Sequence, residues 1–267
     1  NWQGGGNNMK FSMQYPIAHS GYDPALLEPE GVIAVVQAAE NAGFGGVAFT
    51  DHPAPSHKWL QAGGHDSFDP LTALAFCAAA TKRIRLQTYL LVVPYRNPLL
   101  AAKQIATVDV LSGGRVTVAM GTGYLRSEFA ALGVDFEQRG DLFEEAVAAM
   151  TGIWSTDNFH MNGKHFSAQA QTGHPRPIQQ PHPPLWIGGN SRVARRRVAR
   201  YGQGWTPLLI DETMSKTIRT AQMSTATDLR VAVEDLQKLT EAEGRDPSAL
   251  DVQIEGPVSH KMSGSPA

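Results

Sequence analysis

The stretch "IRLQTYLLVVPYRNPLLAAKQIATVDVLSGGRVTVAMGTG" (84–123) decides the fold class. It opens with an apolar run of strand length, Ile84 to Pro94, rich in β-branched and aromatic residues. Asn97-Pro98 then starts a segment with helical periodicity, and Gly113-Gly114 stops it. "RVTVAMGTG" is a second apolar run. Two fully apolar strands joined by a helix predict a parallel pair with helices covering the sheet.

The same alternation extends in both directions. Upstream, "KFSMQYP" (10–16) reads as a strand, "EGVIAVVQAAENAG" (30–43) as a helix and "GGVAFTDHP" (45–53) as a strand entering a polar loop. "DPLTALAFCAAAT" (69–81) reads as a helix with Asp69 at its N-cap and Pro70 at its first position. Downstream, "GDLFEEAVAAMTGIWS" (140–155) is a helix. The rhythm then breaks. Residues 156–182 are polar and rich in Gly, Pro and His, and Asn162-Gly163 inside "FHMNGKHFS" signals a hairpin, so this segment reads as an insertion. Alternation resumes with "PPLWIGG" (183–189), the helix "SRVARRRVARYG", the strand "GWTPLLI" and the helix "TDLRVAVEDLQKLTEAEG"; "DVQIEG" (251–256) is the last strand.

An open doubly wound sheet and a (β/α)₈ TIM barrel both fit this order. Length near ~250 residues and single βα units favour the barrel. The expected domain is therefore one barrel over 10–267, α/β in class, with its insertion at 156–182 ahead of the fifth strand. The pattern supplies seven strands, and "VSHKMSGSPA" (258–267) reads as the loop before another helix. A C-terminal strand and helix are expected to be missing from the chain. The opening "NWQGGGNN" lacks the basic-then-apolar layout of a signal peptide, and residues 1–9 read as a loose arm.

Composition narrows the function classes. Of 267 residues, 42 % are hydrophobic and 18 % charged, the balance of a folded globular chain. A formal net charge of −2 argues against a nucleic-acid or membrane-surface partner. The single cysteine, Cys77, cannot pair within the chain, which points to a reducing, cytoplasmic setting. No apolar run has the length of a membrane span.

In a barrel the chemistry belongs to the loops after the strands. "TDHP" puts Asp51 and His52 at a strand end, an acid that can orient an imidazole able to move protons near neutral pH. Thr88 and Tyr89 end the next strand, and "PYRNP" follows. Gly121, Thr122 and Gly123 follow the strand after that; glycines there let backbone N–H groups approach an anion. Gly188, Gly189, Asn190 and Ser191 repeat the device, with Asn190 or Ser191 as the cap of a helix whose N-terminus attracts anions. That helix carries five arginines, 192, 195, 196, 197 and 200, at the end of the dipole that repels cations. A bound phosphate or acidic tail would resolve the conflict; a solvated basic face is the plainer explanation. The first glycine turn has neither Walker nor dinucleotide-fingerprint spacing. The histidines lack short two-ligand spacing, so no metal is expected. Trp59, His65, Tyr15, Tyr95 and Trp205 are candidate pocket residues.

Taken together, "AGFGGVAFTDH", "RIRLQTYLLVVPYRNPLLAAKQIATVDVLSGGRV", "GTGYLRSEFAALGVDFEQRGDLFEE" and "PHPPLWIGGNSR" resemble the luciferase-like flavin and deazaflavin oxidoreductases, most of all the branch that uses coenzyme F420. The resemblance implies a (β/α)₈ barrel, a ring system at the carboxyl ends of the strands, and a non-prolyl cis peptide that matches Tyr89–Leu90. It carries phosphate contacts over to Gly121, Thr122 and Gly123 and to Gly188, Gly189, Asn190 and Ser191, and a cofactor contact to Asp51. The glucose-6-phosphate dehydrogenases of this branch have a proton-donating glutamate after "GTG"; here Tyr124 stands there. That departure speaks against sugar-phosphate oxidation and leaves His52, then Tyr124, as catalytic candidates. The implied reaction is hydride transfer between F420 and a small organic substrate. The alternatives are an FMN-dependent monooxygenase on the same barrel and a coenzyme-binding protein without turnover. Members of the family are often homodimers.

Overall fold

The strand–helix–strand unit at 84–123 forms as its caps dictate. In the computed structural model, which describes residues 9–18 and 21–255, β3 (Arg85–Val92) runs parallel to β4 (Val116–Gly121), and α4 (Pro98–Ser112) joins them. The Asn97 side chain accepts from the N–H groups of Leu99 and Leu100, and Gly113 closes the helix in the left-handed region at φ 70°. β4 is buried along its whole length, as a strand covered by helices must be.

The chain groups into two compact units, residues 7–183 and residues from 184 onward. In the first unit, β1 (Ser12–Gln14), β2 (Gly46–Phe49), β3 and β4 lie side by side, all parallel. The helices of this unit are α1 (Pro29–Asn41), α2 (His57–Gln61), α3 (Pro70–Ala80), α4, α5 (Arg126–Ala131) and α6 (Arg139–Ser155). Asp69 caps α3 through Thr72 N–H with Pro70 behind it, as its sequence predicts. The core gathers Leu74, Leu86, Val116, Met120, Phe143 and Met150, all with no exposed surface.

Polar side chains at the amino ends of the strands are spent on holding the sheet. Glu40 accepts the N–H groups of Lys82, Arg83 and Ile84 in the turn before β3. Arg115 donates to the carbonyls of Ala78, Thr81, Ile84 and Ser112. The segment read as an insertion contains the antiparallel hairpin β5 (Phe159–Asn162) and β6 (Ser167–Gln171). It is clasped by Gln179, whose N–H and Nε2 both donate to the buried Asp109 carboxylate, at 3.0 and 2.7 Å, while Nε2 also reaches Val116 O.

In the second unit, β7 (Leu185–Gly188), β8 (Gly204–Thr206) and β9 (Asp251–Val252) are parallel. α7 (Arg192–Tyr201), α8 (Glu212–Ile218) and α9 (Ala226–Ala242) accompany them. The run "GWTPLLI" is a strand only through Thr206; beyond it Leu208 and Ile210 make isolated bridges to Glu255 and Met223. α9 starts on a reciprocal capping box between Thr225 and Asp228. The arm expected at 1–9 and the loop expected at 258–267 lie outside the described residues, apart from Met9.

Candidate active site

At the carboxyl end of β2 the chain delivers Asp51 and His52 in sequence, and their fates differ. Asp51 is 3 % exposed. Its carboxylate accepts Val92 N–H at 2.8 Å and a two-pronged contact from Arg96, at 2.6 and 2.9 Å. That paired, planar geometry is the strong form of a carboxylate–guanidinium contact. Asp51 thus fastens the end of β3 and leaves its neighbour to face outward.

His52 is held from one side only. Its Nδ1 lies 3.0 Å from Glu128 Oε2, on the first turn of α5. Glu128 is fully buried and also accepts Ala54 N–H at 3.1 Å and Tyr95 O–H at 3.0 Å. The His52 ring lies 4.7 Å from Trp59, 5.1 Å from His65 and 6.0 Å from Tyr124, centroid to centroid. Burial pushes the His65 imidazole below its ordinary range. Burial and then the Glu128 charge push the Tyr124 phenol up to about 12, against the opposing pull of its bond with Trp59. Tyr95 is driven up by burial and then by Glu128, and remains an O–H donor. A cleft of about 370 Å³ opens beside this group, walled by Ile17, Leu27, Leu60 and Phe68 and reached by His52 and His65.

The end of β3 carries the backbone feature that the resemblance implies. The Tyr89–Leu90 peptide is cis, and the register with β4 shifts between Thr88 and Leu91. Thr88 is buried and donates to Ala119 O at 2.7 Å, which anchors the strand ahead of the bulge. Gly121 faces the bulge: a Cβ there would come to 3.1 Å from Leu90 Cδ1. Gly123 has φ 78°, and a Cβ would meet Val92 Cγ1 at 2.6 Å and Phe129 Cε2 at 2.9 Å. Only glycine satisfies both the torsion and the space. Thr122 sits half-buried between the two.

The luciferase-like monooxygenase family matches residues 9–263. The chain belongs to that family. Among its curated relatives, an FMNH₂-dependent dimethylsulfone monooxygenase of Pseudomonas putida is 36 % identical over 141 residues, 52 % of this chain and 39 % of that protein. An F420-dependent glucose-6-phosphate dehydrogenase of Beutenbergia cavernae is 33 % identical over 181 residues, 66 % of this chain and 52 % of that protein. The matched segments thus span about two fifths and about half of these relatives' own lengths. The crystal structure of the monooxygenase RslO1 from Streptomyces bottropensis superposes with a TM-score of 0.76 at 24 % identity, covering 92 % of this chain and 70 % of that one. This likeness shows the fold, the luciferase-like TIM-barrel type of the α/β class.

The second glycine turn makes hydrogen bonds within its own unit. Gly189, at φ 102°, donates its N–H to Thr206 O at 3.3 Å, and Asn190 N–H goes to Thr220 Oγ1 at 2.8 Å. The Asn190 side chain is 2 % exposed and fully engaged: it donates to Leu208 O and Ala221 O and accepts Leu208 N–H. Ser191 is the cap of α7, accepting Ala194 N–H, while Gly188 pairs with Thr206 at the strand end. This leaves the first amides of α7, ahead of the i→i−4 ladder, as the donors at that helix end. Two of the five arginines have an acidic partner within the protein. Asp235 on α9 pairs with Arg195 at 2.8 Å and with Arg192 at 3.3 Å, and those two arginines hold its carboxyl below the usual range despite partial burial. Arg196 and Arg200 lie on the exposed face.

Two of the expected pocket residues are core. Tyr15 donates to Leu26 O and stacks on Phe49 at 4.9 Å; Trp205 is fully buried and donates to Gly189 O. Trp59 and His65 do join His52, and Tyr95 reaches it through Glu128. The sequence reading missed Glu128 and Arg96. The signal for Glu128 was slight, an acid four places after Tyr124 in the first turn of a helix. Among the described residues no helix is long and apolar enough to cross a membrane, and no three His, Cys, Asp or Glu side chains gather as a metal site.

Proposed function

We propose that this protein is an F420-dependent oxidoreductase that moves hydride between the deazaflavin and a small organic substrate, with His52 as its proton carrier. The observation that carries the reading is a single imidazole tied to a buried carboxylate at the carboxyl end of β2, beside the bulge of β3. The residues fit such a coenzyme. Asp51 is neutralised by Arg96, and the Glu128 charge is met by three donors, so neither buried acid repels an anionic group. Amide and hydroxyl donors at Thr122 and Gly123 would take phosphate, and the backbone of Thr88, Tyr89 and Leu90 would support the ring.

When bound, the coenzyme supplies the two-electron hydride chemistry. The chain's own residues manage the proton. As hydride leaves a carbinol carbon and C=O forms, His52 takes the hydroxyl proton; in the reverse direction it returns one. Tyr124 stays protonated near neutrality and serves as a hydrogen-bond donor to the substrate oxygen rather than as the base. Leu60 and Phe68 give the cleft beside His52 apolar walls.

Titration with F420 and with FMN, followed by Trp fluorescence, tests the reading. Tight binding of F420 with substrate-dependent change in its absorbance is expected. Binding of reduced FMN alone, with oxygen consumption, would favour the monooxygenase reading that the Pseudomonas relative suggests. Binding without turnover would make the protein a coenzyme carrier.

A further inference from the structure

Glu128 and His52 stand 76 positions apart in sequence, yet they meet at 3.0 Å. Oε2 of the buried carboxyl lies 3.0 Å from His52 Nδ1 and accepts Tyr95 O–H, and Oε1 accepts Ala54 N–H. A carboxylate has no hydrogen to give. Nδ1 must therefore carry the ring hydrogen, and Nε2, on the far side of the ring, keeps its lone pair. Among the described residues no protein donor is matched to Nε2. The Ala54 contact adds a second constraint: the same carboxylate ties down the loop two residues beyond His52.

We infer that Glu128 is a positioning residue that fixes His52 in its Nδ1–H tautomer and so reserves Nε2 for the substrate's proton. The purpose of this device rests on the oxidoreductase reading; the tautomer itself does not. Glutamine in place of Glu128 cannot reproduce it. With its oxygen toward His52 and Tyr95, its amide confronts Ala54 N–H, donor against donor. Turned over, its amide donates to Nδ1, and the ring hydrogen moves to Nε2, where it blocks uptake of a proton.

The test uses the whole chain. Ring-nitrogen NMR of uniformly labelled protein, with the His52 signals assigned by their loss in His52→Asn, reads the tautomer without coenzyme. The parent is expected to show Nδ1–H. Glu128→Gln is expected to move the population to Nε2–H and to lower kcat by about 100-fold with KM within about threefold, the pattern of a lost proton-transfer function rather than lost binding. Glu128→Asp is expected to restore Nδ1–H and part of kcat. An Nε2–H ring in the parent overturns the inference, and so does Glu128→Gln with an unchanged tautomer and full kcat. Should Glu128→Gln fail to fold, the parent spectrum still decides. An Nδ1–H parent that turns over neither coenzyme keeps the positioning role and ends the oxidoreductase reading; an active parent with Nε2–H does the reverse.

Discussion

Replacing Asp235 with asparagine isolates the electrostatics of α7. The variant keeps the shape of the side chain and removes the charge that meets Arg192 and Arg195. Arg195 is only 13 % exposed at its side chain and Asp235 27 %, so the pair is screened less than a surface bridge. Partly sheltered pairs of this kind contribute up to about 1 kcal/mol each. Cations left near a helix N-terminus add about 0.3–1 kcal/mol against folding. These terms overlap, and a net loss of about 1.5 kcal/mol is expected at pH 7, or roughly 3–6 °C in Tm. The loss should depend on pH in a definite sense. Because the folded carboxyl is held below its ordinary value, Asp235 contributes stability above about pH 4 and loses it as pH falls through the folded pKa. Parent and variant should therefore converge in strong acid. Thermal melts at pH 7 and near pH 3 measure both effects, and a double-mutant cycle with Arg195→Met isolates the pair. Coincident melts at pH 7 with no coupling in the cycle would refute the account and leave the arginines balanced by something else.

Gly123→Ala should cost about 2–4 kcal/mol, from a left-handed torsion and from a methyl driven into Val92 and Phe129; Gly133→Ala, also at positive φ but with open space around it, should cost about 1 kcal/mol, and urea melts distinguish the two. Asp51→Asn leaves the largely buried Arg96 without its counter-charge and should cost about 3–5 kcal/mol, whereas Asp51→Asn combined with Arg96→Met should cost less than the single change. Tyr124→Phe should leave the shape of the pH–rate profile unchanged between pH 6 and about 9, because the phenol, raised to about 12, does not ionise there; a lost alkaline limb would contradict this.

What could be read along the chain was what acts over a few residues. Asp69, Asn97 and Gly113 announce helix ends because a cap is a local contact, and all three do that work. The bulge at Tyr89–Leu90 came from resemblance alone; no local pattern encodes it. The pairings that shape the site span long separations: Asp51 with Arg96 at 45 positions, and His52 with Glu128 at 76. The arginine helix shows the same limit. Its charge was legible and its partner was not, since Asp235 lies 40 positions beyond Arg195 and becomes a neighbour only when α9 packs on α7. Asn190 looked like a ligand residue because a glycine turn before a helix is an anion cradle by type; here the turn closes upon Thr206, Leu208, Thr220 and Ala221.

The clasp of Gln179 on Asp109 bears on how this chain can change. The excursion that leaves after Ser155 is fastened to the body at more than one station: Gln179 on Asp109, at the end of the sheet away from the imidazole, and the Glu145 carboxylate, which accepts the N–H groups of Lys164, His165 and Phe166. The hairpin is thus pinned at its turn as well as at its return. Change in that hairpin has to keep these anchors, none of which is a residue that handles protons.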